Sequence, residues 1–135
     1  MNKLDASELA AFARRYVFAG GRIRRVVVRR GKTTSVELRL TVKAAVQSLG
    51  DAAKPVRLRL VFDGVEEYRF QRRPAAAGGR IPDARFGTFD GFIYLNLDAY
   101  RLDPGERPTL PDFRASDAFV AGAEVRWEEM QSPAE

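Results

Sequence analysis

Histidine and cysteine are both missing from the 135 residues of this chain. Their absence excludes a Cys nucleophile, any Ser–His or Cys–His arrangement, a disulfide framework and the usual zinc ligand sets. It also removes the side chain best suited to proton transfer near neutral pH. Catalysis would fall to carboxylates, Lys, Tyr or an oxygen-bound metal, so the expected role is non-enzymatic, with no catalytic residue, no metal and no cofactor. No apolar run approaches the roughly 20 residues that cross a bilayer, so no membrane partner is expected. A basic stretch followed by an apolar one is lacking at the amino terminus. Together with the absence of cysteine, this predicts a cytoplasmic location.

What is present is charge and alternation. The formal net charge is +5, and it is unevenly spread. Residues 1–80 carry 18 Lys and Arg against 7 Asp and Glu, whereas residues 81–135 carry 5 against 11. Of the 23 basic residues 19 are Arg, and Ala is equally abundant. Both have GC-rich codons, so genome composition accounts for part of the bias. Solvated Arg on strand faces and an anion-binding surface both fit this balance.

Val56, Leu58, Leu60 and Phe62 alternate with Arg57, Arg59 and Val61. A period of two marks a strand with one buried face and one charged face. The same period recurs at Val36, Leu38, Leu40 and Val42, and at Ile93, Leu95 and Leu97. One α+β domain over residues 1–135 is expected, mostly antiparallel β, with one N-terminal helix packed on a curved sheet of seven or eight strands. The sheet would be a sandwich or a partly open barrel, since it must curl or fold into two layers to bury its apolar face.

The helix is expected over about residues 5–18, from a capping box at Asp5 and Glu8 to a stop at Gly20-Gly21. Leu9, Phe12, Ala13, Tyr16 and Val17 would form its apolar stripe. Hairpins are expected over about 22–43, 55–71 and 84–98, with a C-terminal strand or hairpin over about 118–129. In the first, a two-residue loop pairs Val27 with Val36 and Ile23 with Leu40, whereas a three-residue loop pairs Val28 with Val36 and Val26 with Leu38. In the second, Asp63-Gly64 suggests a turn. Setting Tyr68 against Leu60 and Phe70 against Leu58 requires one extra residue, hence a glycine bulge at Gly64. In the third, Asp90-Gly91 suits a type I′ turn that pairs Phe86 with Leu95, Phe89 with Phe92 and Gly87 with Tyr94.

Between these elements, Ala44–Leu49 could form a helical turn, Gln71–Pro82 reads as a loop, and the prolines of Arg101–Asp112 argue against regular structure. Ala121-Gly122 is a possible turn, after which Ala123, Val125 and Trp127 would point inward.

Three groups of residues are candidates for function. Phe89, Phe92 and Tyr94 lie on the face of their hairpin opposite Phe86 and Leu95. They would either anchor a partner or pack under the helix stripe or a second sheet. Arg57 and Arg59, with Arg39 beside them, would form a cationic strand face able to bind an acidic partner or nucleic acid. Asp98, Asp103, Asp112 and Asp117 surround the proline-rich segment. Their spacing matches no calcium loop, and Asp near Pro and Gly is usual in turns.

The run Val56–Val65 resembles a strand pattern of small bacterial β-rich immunity-type proteins of polymorphic toxin systems and related domains of unknown function. In these proteins it is followed by a hairpin, here Ile81-Pro82-Asp83-Ala84 to Leu97. A closing strand comes next, here Ser116-Asp117-Ala118-Phe119 through Val125-Arg126-Trp127. The resemblance covers about half of the chain and implies a protein partner, but no functional residue carries over. The basic balance departs from the acidic surfaces expected of proteins that neutralise cationic nucleases. Two functions are therefore expected as alternatives. One is a non-catalytic protein-binding domain, immunity-like in kind. The other is a nucleic-acid or polyanion binder using the Arg-rich face.

Overall fold

Val36, Leu38, Leu40 and Val42 lie directly opposite Phe62, Leu60, Leu58 and Val56, and this double row is the centre of the core. It belongs to a computed structural model that describes residues 1–45, 54–71, 79–99 and 104–130. The strands are β1 (Asn2–Lys3), β2 (Tyr16–Arg29), β3 (Ser35–Ala44), β4 (Lys54–Phe70), β5 (Arg85–Phe89), β6 (Phe92–Asn96) and β7 (Ala118–Met130). Two short helices accompany them, α1 (Leu9–Arg15), preceded by a 3-10 turn at Ala6–Glu8, and α2 (Leu110–Arg114).

All the paired strands are antiparallel. They form one open sheet in the order β2-β3-β4-β7-β6-β5, with β1 added beside β7. The fold is thus α+β and the sheet does not close into a barrel. It is bent so that one face turns inward. Val120 and Val125 of β7 are both fully buried in the same cluster although they are an odd number of residues apart. The alternation therefore slips near Gly122, where an added Cβ would meet the Asp63 carbonyl and the Phe62 side chain, each at 3.1 Å.

Backbone bonds tie β2 to the segment that leads into β5. Gly20 N–H donates to the Ile81 carbonyl and Ile81 N–H donates to that of Gly21, each at 2.8 Å. Ile81 is fully buried, so the segment expected to be a loop carries a core residue at its end. Residues 72–78 of that segment lie outside the described residues. So do residues 46–49, where a helical turn was expected.

α1 covers the opening between the two ends of the sheet. Phe12 packs its ring on Phe18 of β2, Phe86 of β5 and Trp127 of β7 at centroid distances of 5.0–6.2 Å. The capping box forms, with Asp5 N–H donating to Glu8 Oε1 at 3.0 Å. The helix nevertheless stops at Arg15, not near residue 18. Tyr16 fits both a helical stripe after Phe12 and a strand alternation with Phe18. Strand pairing of Tyr16 with Ala44 and Val17 with Lys43 decides the matter, and aromatic and β-branched residues favour it. Gly20-Gly21 then sits inside β2 and terminates nothing.

The expected hairpin at 55–71 is a single strand. β4 runs through Asp63-Gly64 because β7 pairs with it from Arg57 to Phe70. The expected pairs of Leu60 with Tyr68 and Leu58 with Phe70 are therefore absent; a register shift does occur between Val65 and Glu67, just after Gly64 at φ +59°, but in the pairing of β4 with β7. In the first hairpin Val28 pairs with Val36 and Val26 with Leu38. A second bulge between Ile23 and Arg25 then sets Ile23 opposite Leu40 as well. The third hairpin has the expected register, with positive φ at both Asp90 and Gly91.

Two further expectations are corrected. The prolines do not prevent a helix at Leu110–Arg114. Thr109 and Asp112 form a capping box, the Thr109 N–H donating to Asp112 Oδ2 at 2.6 Å. Pro111 lies in the first turn, where its missing N–H has no helical partner to lose. β7 continues through Ala121-Gly122 without turning, and Ala123 is exposed while Val125 and Trp127 point inward. Among the described residues no helix is long and apolar enough to cross a membrane.

Candidate functional site

The outward side of β2, β3, β4 and β7 carries a row of like charges. Arg25 lies opposite Arg39, Arg39 opposite Arg59, and Arg59 opposite Glu128. Like charges directly across a ladder destabilise it. One row away, Glu37 of β3 answers them. Its carboxylate accepts from Arg59 Nη2 at 2.7 Å and from Arg39 Nε at 2.9 Å, with Arg29 Nη1 at 3.5 Å. Arg59 also donates to Glu128 Oε1 at 3.1 Å.

Glu37 is 2% exposed although it stands on the face that alternation assigns to solvent. The hydrogen bond from Arg59, helped by Arg39, outweighs its burial and holds its carboxyl at about 2, below the ordinary 4.5. Reciprocally, the Arg59 guanidinium is raised, chiefly by Glu37 and then by Glu128. The Arg59 Nε is buried and makes no hydrogen bond to any described residue.

Arg57 lies on the same face, opposite Thr41 and Met130, and is exposed. Arg24 Nε donates to Thr41 Oγ1 at 2.9 Å, bringing a further guanidinium beside it. Neither Arg25 nor Arg57 has a side-chain partner among the described residues. The three arginines singled out from the sequence are therefore brought together. Two of them are already clasped by Glu37.

The aromatic candidates are elsewhere. Phe89 and Tyr94 pack edge-on against Phe113 of α2 at 5.5 and 5.7 Å, with Phe92, Phe119, Ala121 and Leu110 around them. Tyr94 is buried and Phe92 half-buried. A helix does cover these rings, but it is α2 and not α1. Tyr94 Oη donates to Glu67 Oε2 at 2.6 Å, and Arg114 Nε donates to Glu67 Oε1 at 2.9 Å. Burial and the bond to Glu67 push the Tyr94 hydroxyl up to about 12. Arg59 and Glu67 are eight residues apart on β4, roughly 25 Å at strand rise. The arginine row and the aromatic cluster are thus two separate places.

Two of the acidic candidates, Asp98 and Asp112, have structural roles. Asp98 accepts from the Ser116 hydroxyl and from the Asp117 N–H, tying the end of β6 to the start of β7. Asp112 caps α2. Asp103 lies outside the described residues. Among the described residues no group of three acidic side chains is placed to hold a metal ion. A shallow groove of about 230 Å³ lies where β1 and β6 divide the edge of β7, lined by Lys3, Asp5, Thr88, Gly91 and Glu124 among others.

Glu37 is the functional candidate that alternation alone missed, because Val36, Glu37 and Leu38 read as in, out, in. Composition did hold a signal, since Glu37 is the only acidic residue between Glu8 and Asp51, among ten basic ones. Comparison with protein-family models, curated proteins and solved structures finds no match.

Proposed function

We propose that this chain is a non-catalytic protein-binding domain that docks an acidic protein surface on the outward face of β2, β3 and β4. The observation that carries this reading is the surplus of guanidinium there. Arg25, Arg29, Arg39, Arg57 and Arg59 stand against Glu37 and Glu128. Large apolar side chains are scarce on the described surface, only Met1 and Val17 being exposed. The interface would then be polar, fast to form and sensitive to salt. The carboxylates of Glu37, Glu67, Asp98 and Asp112 are engaged as caps, ties and ion pairs, which supports a binding role over a catalytic one. The resemblance to immunity-type proteins makes a bacterial toxin domain with an acidic face the partner class, met in the cytoplasm.

Nucleic acid is the second reading, favoured by Arg25 and Arg57, which are exposed and have no side-chain partner among the described residues. It is weakened because the aromatics that would stack bases are covered by α2. Affinity capture from host lysate after nuclease treatment separates the two readings. Wild type should retain one stoichiometric protein, and the Arg25→Glu/Arg57→Glu variant should lose it while melting normally. Retention of nucleic acid alone, or of the same protein by the variant, sinks the proposal.

A further inference from the structure

We infer that Arg29, Arg39 and Arg59, fanned around the buried carboxylate of Glu37, form a preset seat for a single side-chain carboxylate of the partner. This rests on the reading of the same face as the docking surface and names what that surface recognises.

Glu37 is held on a rigid strand with its side chain 1% exposed, so the guanidiniums that bind it are fixed in direction. Each guanidinium has five N–H donors in a planar fork. Arg39 spends only Nε on Glu37, and its two Nη groups donate to no described residue. Arg29 approaches Glu37 at 3.5 Å and keeps its side chain 63% exposed. Two half-used forks therefore border one filled carboxylate, with Arg25 next to Arg39 in register. An exposed arginine normally loses rotamer freedom when it binds. Here Glu37 has already removed it from Arg39, and a planar carboxylate is the shape such a fork accepts with two parallel bonds.

The surroundings limit the ligand to a local carboxylate. Beyond Arg59 the face turns acidic with Glu128, Asp63 and Glu124; Arg59 meets Glu128 at 3.1 Å and Arg126 meets Asp63 at 2.9 Å, while Glu124 forms no ion pair with any described residue. A continuous polyphosphate crossing β7 would meet those acids. A carboxylate arriving on the β2 side would not. Glu37 is accordingly a positioning residue, acting through Arg39 and Arg59.

The test uses charge-neutral substitution. Fluorescence anisotropy at low ionic strength measures binding of a labelled hexaglutamate peptide and of labelled hexathymidylate to the full chain. Arg39→Lys keeps the net charge and removes the fork, and the seat predicts weaker peptide binding by about fivefold or more. Glu37→Gln adds one positive charge, yet should also weaken peptide binding because the fan is no longer held; its folding is checked by circular dichroism at the assay temperature. A loss under about twofold for Arg39→Lys overturns the seat, as do tighter binding by folded Glu37→Gln and preference for hexathymidylate. If wild type binds no hexaglutamate at all, the acidic-partner reading itself fails. If wild type binds it and Arg39→Lys binds equally well, only the seat fails.

Discussion

Phe113 of α2 lies directly over Gly87 of β5, so close that a Cβ at position 87 would meet its ring at 2.7 Å. Gly87 pairs with Tyr94 across the hairpin, and the ring that fills the space above the glycine comes from the helix. Gly87→Ala should therefore lift α2 and destabilise the fold by about 1–3 kcal/mol. Chemical denaturation measures the loss. Combining it with Phe113→Leu should cost less than the sum of the two single changes, as expected for residues in contact.

Acid should weaken the fold through Glu37. Its folded-state carboxyl sits at about 2 against 4.5 ordinarily, so its contribution is complete above pH 4.5 and disappears as pH falls toward 2. The partner guanidiniums are partly solvated, which reduces the contribution to on the order of 2 kcal/mol. Melting curves across this window should fall for wild type. In Glu37→Gln the fall should be shallower, from a lower starting stability.

Tyr94 gives the opposite dependence. Its hydroxyl is raised from 10.0 to about 12 by burial first and by Glu67 second. Its contribution is whole below pH 10 and is lost as pH climbs toward 12. Tyr94→Phe should remove part of this alkaline loss and cost about 1 kcal/mol at neutral pH for the missing hydrogen bond. Equal alkaline melting of variant and wild type would contradict the assignment.

The tie between β2 and the segment that leads into β5 depends on Ile81. Ile81→Ala should cost about 2–5 kcal/mol, the range for emptying a fully buried aliphatic site. Amide exchange at Gly20 and at position 81 should rise more than at Leu38 or Leu60, which lie in the middle of the sheet.

How far the sequence could be read depended on how local each feature was. The Asp90-Gly91 hairpin has five consecutive pairs set by a two-residue turn, and each partner was legible. That Leu60 and Tyr68 share the inward face was legible too, though they share it along one strand and not across a hairpin. The course of the chain between them was not, since Asp63-Gly64 suits a turn as well as a bulge and only the distant β7 decides between them. Tyr16 was ambiguous for the same reason, satisfying two periods at once until Ala44 arrives across the ladder. α2 was hidden by its prolines, although Thr109 and Asp112 have capping-box spacing. Among the site residues, Arg39, Arg57 and Arg59 shared a face as their alternation required. Whether they stood free depended on Arg29, Glu37 and Glu128, which alternation treats as ordinary solvent-facing positions.

β7 comes last among the described strands and lies between β4 and β6. On the ribosome, β2–β3–β4 and β5–β6 therefore emerge as two fragments, each with a bare edge awaiting the same strand. Neither can cover its apolar face alone, because Val120, Val125 and Trp127 arrive with β7. The nascent chain thus stays adhesive until β7 emerges and joins the two fragments in one step. Such a chain is a natural client for chaperones that shield unpaired strands until the strand that joins them has been made.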